Sequence, residues 1–146
     1  MVEKITVING PNLNFLGIRE LGIYGNETYK DLCEYIKNYC EKKNIEVQIF
    51  QSNSEGEIIN FLQNAYYENV KGIVINPGAY THYSYAIFDA IKSIILPTVE
   101  VHLSNIHERE DFRKVSVTAP ACVKQIYGKG KDGYIEAIDF LTENKY

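Results

Sequence analysis

Two pairs of residues in this chain have the types and spacing of an acid–base couple. Glu100 and His102 stand two apart in T-V-E-V-H (Thr98–His102). That stretch is rich in β-branched residues and reads as a strand, so both side chains point to one face. A carboxylate beside an imidazole fixes its tautomer and favours its protonated form, which suits a general acid. The alternative is an incidental histidine at a strand end. Arg19 and Tyr24 lie in L-G-I-R-E-L-G-I-Y-G (Leu16–Gly25), which has three glycines and neither helical nor strand period. A glycine-hinged loop of this kind is a candidate lid. A free phenol has a pKa of about 10, so roughly 0.1% is ionised at pH 7. A guanidinium ~4 Å away at an effective dielectric of about 20 contributes on the order of 4 kcal/mol. That is enough to bring a tyrosine base within reach of neutral pH before solvent screening reduces it. The alternative is a surface loop with a solvated arginine, since spacing alone does not establish contact.

Other groups cluster near these pairs in the chain. N-G-P-N-L-N (Asn9–Asn14) follows an apolar first strand. It stands where nucleotide binders carry a glycine-rich phosphate loop, but it has neither G-x-x-x-x-G-K nor G-x-G-x-x-G. Ser104 and Asn105 come directly after His102. Backbone N–H groups and a serine hydroxyl at such a turn suit a carboxylate, and Ser104 reads equally well as a helix cap. The histidines His82, His102 and His107 lack H-E-x-x-H or comparable spacing, and no cysteine joins them, so a metal site is not expected. Amides, hydroxyls, histidines and arginine together suit a small, hydroxyl-rich anion.

The elements that must position these groups alternate strictly. Strands are expected at Lys4–Ile8, Glu46–Phe50, Gly72–Asn76, Thr98–His102 and Val123–Tyr127. Between them helices are expected from the Thr28 cap to about Lys43, after a Ser54/Glu57 capping box, from about Tyr83 to Ile94, and from Gly133 to Glu143. Residues 105–121 have no clear period, with a short helix expected at Glu108–Lys114. This pattern implies an α/β fold of three layers: a doubly wound, five-stranded parallel sheet with helices on both faces. At 146 residues the flavodoxin-like strand order 2-1-3-4-5 is expected, as a single domain spanning 1–146. Ligands then bind beyond the carboxyl ends of the strands, at the switch between strands one and three. N-G-P-N-L-N, N-P-G-A-Y-T-H (Asn76–His82) and V-H-L-S-N (Val101–Asn105) should meet there.

In the helix before the fourth strand, Ala86, Ile87, Ala90, Ile91 and Ile94 share one face. Tyr85, Phe88, Asp89 and Lys92 point the other way, and exposed aromatics beside an acid suggest a subunit contact. A net charge of −4 at pH 7 makes no electrostatic case for nucleic acid or an anionic membrane. No apolar stretch reaches the ~18 residues of a membrane span, and no signal peptide is expected. Three cysteines without metal-type spacing read as small core residues in a reducing cytoplasm.

Four motifs in order carry a resemblance to a known family. They are N-G-P-N-L-N-F-L-G-I-R-E-L-G-I-Y-G, F-Q-S-N-S-E-G-E, I-N-P-G-A-Y-T-H and V-E-V-H-L-S-N-I-H-E-R-E-D-F-R. Together they closely resemble type II 3-dehydroquinate dehydratase over essentially the whole chain. The resemblance implies loss of water from 3-dehydroquinate to give 3-dehydroshikimate through an enolate, without metal or organic cofactor. It also implies a homo-oligomer, a dodecamer built from trimers. By motif, Tyr24 would be the base, with Arg19 lowering its pKa. Asn12 would help hold a water at the enolate, and His102, oriented by Glu100, would protonate the departing hydroxyl. The N–H groups of Leu103 and Ser104, the Ser104 hydroxyl and Asn76 would hold the substrate carboxylate, and His82 and Arg113 ring hydroxyls. Asp89 would reach a neighbouring subunit's site. The family usually has leucine at Phe15, proline at Leu21 and histidine at Ser54; the first two departures lie in or beside the lid, while Ser54 still caps its helix.

Overall fold

A computed structural model describes residues 2–18 and 27–146. Five parallel strands form one sheet in the order β2-β1-β3-β4-β5. They are β1 (Glu3–Asn9), β2 (Ile45–Gln51), β3 (Gly72–Asn76), β4 (Thr98–His102) and β5 (Lys124–Tyr127). The register sets Asn9 of β1 opposite Asn76 of β3 and Glu100 of β4 opposite Gln125 of β5. The polar carboxyl ends of the central strands therefore lie side by side.

Period-two alternation divides the core into two layers. Ile5, Val7, Val74, Val99 and Val101 face α1 (Tyr29–Lys42) and α4 (Asp132–Thr142), whose Leu32, Ile36, Ile138 and Leu141 complete one layer. Ile8, Ile73 and Ile75 face α2 (Glu55–Tyr67) and α3 (Tyr85–Ile94), packing on Ile58, Leu62, Ile87 and Ile91. Each such buried side chain contributes about 1.5–3 kcal/mol. Because Val99 and Val101 go to the first layer, Thr98, Glu100 and His102 must turn to the other face. All three are buried there, Glu100 completely.

The helix starts follow side-chain capping. Thr28 accepts from Asp31 N–H while the Asp31 carboxylate accepts from Thr28 N–H, a reciprocal box that opens α1. Ser54 caps α2 by accepting from Glu57 N–H at 3.3 Å, but the expected reciprocal bond from Glu57 is not formed. Glu55 instead accepts from Ser84 Oγ at 2.5 Å, joining the starts of α2 and α3. The chain before α3 is a 3₁₀ turn, Gly78–His82, so that helix begins two residues later than its pattern suggests. Residues 105–121 hold three 3₁₀ segments, Ile106–Glu108, Asp111–Lys114 and Ala119–Ala121, rather than one short helix. Ala86 is exposed, unlike its partners on the apolar face of α3.

Candidate active site

The turn after β1 is held from both sides. Gly10 N–H donates to Asn76 O at 2.8 Å, and a Cβ at Gly10 would sit 2.5 Å from Pro77 O. Only glycine allows the two turns to approach so closely. From β2, Gln51 Nε2 donates to Gly10 O at 3.2 Å, and Asn53 Oδ1 accepts from Asn12 N–H at 3.0 Å. Asn12 itself takes a left-handed conformation with φ of 68°, which asparagine tolerates.

Beneath this turn runs a directed chain of hydrogen bonds. Gly78 N–H donates to Asn76 Oδ1 at 3.2 Å, which leaves Asn76 Nδ2 to donate to Tyr134 Oη at 3.0 Å. Tyr134 O–H donates to Asn9 Oδ1 at 2.6 Å, and Asn9 Nδ2 donates to Tyr29 Oη at 3.3 Å. Every donor meets an acceptor, so the Asn76 amide has one orientation. Burial holds the Tyr134 phenol well above its ordinary range and therefore neutral.

The turns enclose a cleft of about 90 Å³. Asn12, Asn76 and His82 line it from the ends of β1 and β3. His102, Leu103, Ser104 and Arg113 line it from the end of β4 onward, and Arg109 joins them. Seven residues expected from sequence are thus gathered on one cleft. Glu100 lies behind His102 rather than on the wall. Asp89 is exposed on the outer face of α3 and does not line the cleft of its own chain. Arg19 and Tyr24 fall outside the described residues, as does Leu21.

Glu100 has a complete set of partners. Its Oε2 accepts from Ser116 Oγ and Gln125 Nε2, both at 2.8 Å, and lies 2.8 Å from His102 Nε2. Its Oε1 accepts from Thr118 Oγ1. Burial pushes this carboxyl up, but the bond and charge of His102, with the bonds from Thr118 and Gln125, outweigh it and bring it below the usual range. An ionised Glu100 can only accept, so His102 Nε2 carries the shared proton and Nδ1 is the free nitrogen. Ser116, Thr118 and Gln125 were not anticipated from sequence. Ser116 and Thr118 belong to the aperiodic 105–121 segment, and their only sequence signal was an unassigned polar pair in S-V-T-A-P.

His82 differs from His102. Its Nδ1 donates to Val115 O at 2.8 Å, leaving Nε2 as an acceptor. Burial, then repulsion from His102 and Arg113, holds its pKa below the ordinary value despite the bond to Val115. Arg113 donates from Nε to Glu110, and its guanidinium lies 4.8 Å from the Phe112 ring centroid, so its position is braced. After β4, the Leu103 and Ser104 carbonyls accept from Gly130 and Gly128 N–H at 3.0 and 3.1 Å. Asn105, not Ser104, caps the following 3₁₀ turn by accepting from His107 N–H. The cap reading of Ser104 is thereby replaced, and Ser104 lines the cleft instead. An anion is favoured by these arginines although the chain as a whole is acidic. Among the described residues, no group of three or more His, Cys, Asp or Glu side chains could hold a metal ion.

A family model described as Dehydroquinase class II matches residues 3–142. A 3-dehydroquinate dehydratase of Clostridium beijerinckii is 66% identical over 142 residues, 97% of each chain. One from Clostridium acetobutylicum is 67% identical over 138 residues, 94% of this chain and 95% of the relative. The crystal structure of a type II dehydroquinase from Butyrivibrio crossotus superposes with a TM-score of 0.95 at 60% identity, covering 97% of this chain and 98% of that one.

Proposed function

The chain belongs to the class II dehydroquinase family, and on that premise we propose how its cleft carries out the reaction. The reaction is the dehydration of 3-dehydroquinate to 3-dehydroshikimate and water, a hydro-lyase step of the shikimate pathway. The observation that carries the mechanism is the buried Glu100–His102 pair at the carboxyl end of β4. It points an imidazole with one anchored nitrogen into a polar, cationic cleft.

Elimination requires a base at the carbon next to the ketone and an acid at the departing hydroxyl. His102 is the acid: Glu100 stabilises the imidazolium, and Nδ1–H delivers the proton to the leaving oxygen. Tyr24 is the base, its phenolate favoured by Arg19. Tyr134 cannot substitute, because burial keeps it protonated. Loss of the proton yields an enolate, which Asn12 helps to stabilise through a bound water. Expulsion of the protonated hydroxyl as water then completes the double bond.

Binding uses the remaining groups. Asn76, the Ser104 hydroxyl and the N–H groups of Leu103 and Ser104 hold the carboxylate. Neutral His82 accepts from a ring hydroxyl through Nε2, and Arg113 donates to another. We further read the chain as one catalytic domain over 1–146 that works as a dodecamer of trimers, Asp89 completing a neighbour's site. The outer face of α3 supports this, since Tyr85 is 70% exposed four residues before the exposed Asp89, although Phe88 is half-buried. A monomer mass by light scattering from a fully active sample would contradict it. The three free cysteines suit a cytoplasmic protein. Among the described residues, no helix is long and apolar enough to cross a membrane.

The ultraviolet absorbance of the conjugated enone product tests the mechanism. Wild type should produce a rise with added 3-dehydroquinate, and Tyr24→Phe should bind substrate yet lose turnover. A fully active Tyr24→Phe variant removes the phenol from the mechanism.

A further inference from the structure

We infer that Thr118 is a positioning residue for the acid: its hydroxyl orients the Glu100 carboxylate so that Oε2 meets His102 Nε2. This rests on the reading of His102 as proton donor. The terminal torsion of a glutamate is broad and nearly two-fold, so packing alone does not determine where its oxygens point. Oε2 has three polar neighbours, His102, Ser116 and Gln125. Among the described residues, Thr118 is the donor on Oε1. Its side chain is fully buried, and its carbonyl accepts from Cys122 Sγ at 3.6 Å, which ties the segment to the chain entering β5. Thr118 thus holds the oxygen that the other three leave open and shares with them the setting of the carboxylate plane.

The same bond governs where the pair keeps its proton. Without it, a buried carboxylate oxygen lacks a donor, which disfavours the deprotonated pair most and allows the proton to move toward Glu100. The pair then takes up its proton at higher pH, while the imidazole becomes a poorer donor. The groups facing the pair do not obscure this. His82, from the Gly78–His82 turn, is held toward its neutral form. The Cys122 thiol, before β5, is pushed up by burial and by Glu100 and stays neutral. Arg109 and Arg113 lie on the cleft wall with His102.

Thr118→Val removes the hydroxyl at constant shape, and Thr118→Ser keeps it. In the valine variant kcat should fall about tenfold with KM within about twofold, as for a lost hydrogen bond to an ionised group. The alkaline limb of the kcat profile should move up by about one pH unit, and serine should restore most of both. Nuclear magnetic resonance titration of the His102 imidazole, without substrate, should show the same upward movement in valine and not in serine. If Thr118→Val does not fold, Thr118→Ala removes the same hydroxyl with a smaller side chain and should move the titration in the same direction. An unmoved titration in the valine variant, or equal movement in valine and serine, overturns the inference. If the titration moves as stated but wild type does not dehydrate 3-dehydroquinate, the orienting role of Thr118 toward Glu100 and His102 stands and the reading of the reaction fails.

Discussion

Replacing Glu100 with glutamine removes one charge and almost no volume. Three polar groups converge on Oε2 at 2.8 Å and one hydroxyl on Oε1. Glutamine can present its carbonyl to the first three and its amide to Thr118, whose hydroxyl can turn to accept. The geometry around His102 is therefore kept, while the imidazolium loses its anionic partner. A hydrogen bond to an ionised group is worth about 1.5–3 kcal/mol, so Glu100→Gln should lower kcat roughly 10- to 150-fold. Glu100 is fully buried behind His102, so KM should stay within about twofold. Steady-state enone formation reads both constants. A variant with wild-type kcat, or one that loses activity through KM alone, would refute the assignment of Glu100 as the partner of the acid. Stability gives a second reading. The Glu100 carboxyl is held below its ordinary range, burial being outweighed by its hydrogen bonds and the charge of His102. A lowered carboxyl contributes stability that is present above the ordinary carboxylate pKa of about 4.3 and lost as pH falls through the lower folded value. Wild type should therefore lose urea stability more steeply than Glu100→Gln on acidification below about pH 4.3. Equal slopes would remove Glu100 from the acid-sensitive groups.

Tyr134→Phe deletes the hydroxyl shared by Asn9 and Asn76, leaving two buried amides each short of one partner. Each costs about 1–3 kcal/mol, so a lower melting temperature should come with a raised KM as Asn76 loses its orientation; an unchanged KM would detach Asn76 from substrate binding. Gly10→Ala would put a methyl 2.5 Å from a backbone oxygen of the neighbouring turn. The two turns must then separate, so turnover should fall several-fold along with thermal stability, and full activity would mean that their close approach does not shape the cleft.

The fold was legible because its signals are local and repeated. V-E-V-H states in four residues that Val99 and Val101 enter one layer while Glu100 and His102 turn to the other. Asn9 and Asn76 end their strands at matching register, so strand order alone brings their turns together. What stayed hidden lies across the chain. Ser116 and Thr118 follow Glu100 by 16 and 18 residues in a segment without period. Their hydroxyls meet the carboxylate only because the chain returns behind β4 before entering β5. Tyr134 reads as an apolar helix residue, and its phenol reaches Asn9 across 125 positions. The cap after Ser54 was half legible for a related reason. Serine at that position is a local signal, whereas Glu55 turning to Ser84 depends on how α2 and α3 lie together.

These hidden contacts share a physical role. The residues on the cleft wall were readable because chemistry restricts their types: an acid needs an imidazole, and a carboxylate needs N–H and O–H donors. The residues behind them are chosen by a different constraint, the cost of leaving a buried polar group unpaired. Glu100 stays below the usual carboxylate range at complete burial because the bond and charge of His102, with the bonds from Thr118 and Gln125, outweigh desolvation. Asn76 could not keep one amide orientation without Gly78 and Tyr134. Many residue types can donate a hydrogen bond, so this supporting layer has no strong sequence signature. In the proposed mechanism, its geometry decides whether the His102 proton and the Asn76 amide are where the reaction needs them. A wall that is unchanged in sequence can thus differ in rate through residues that never touch substrate.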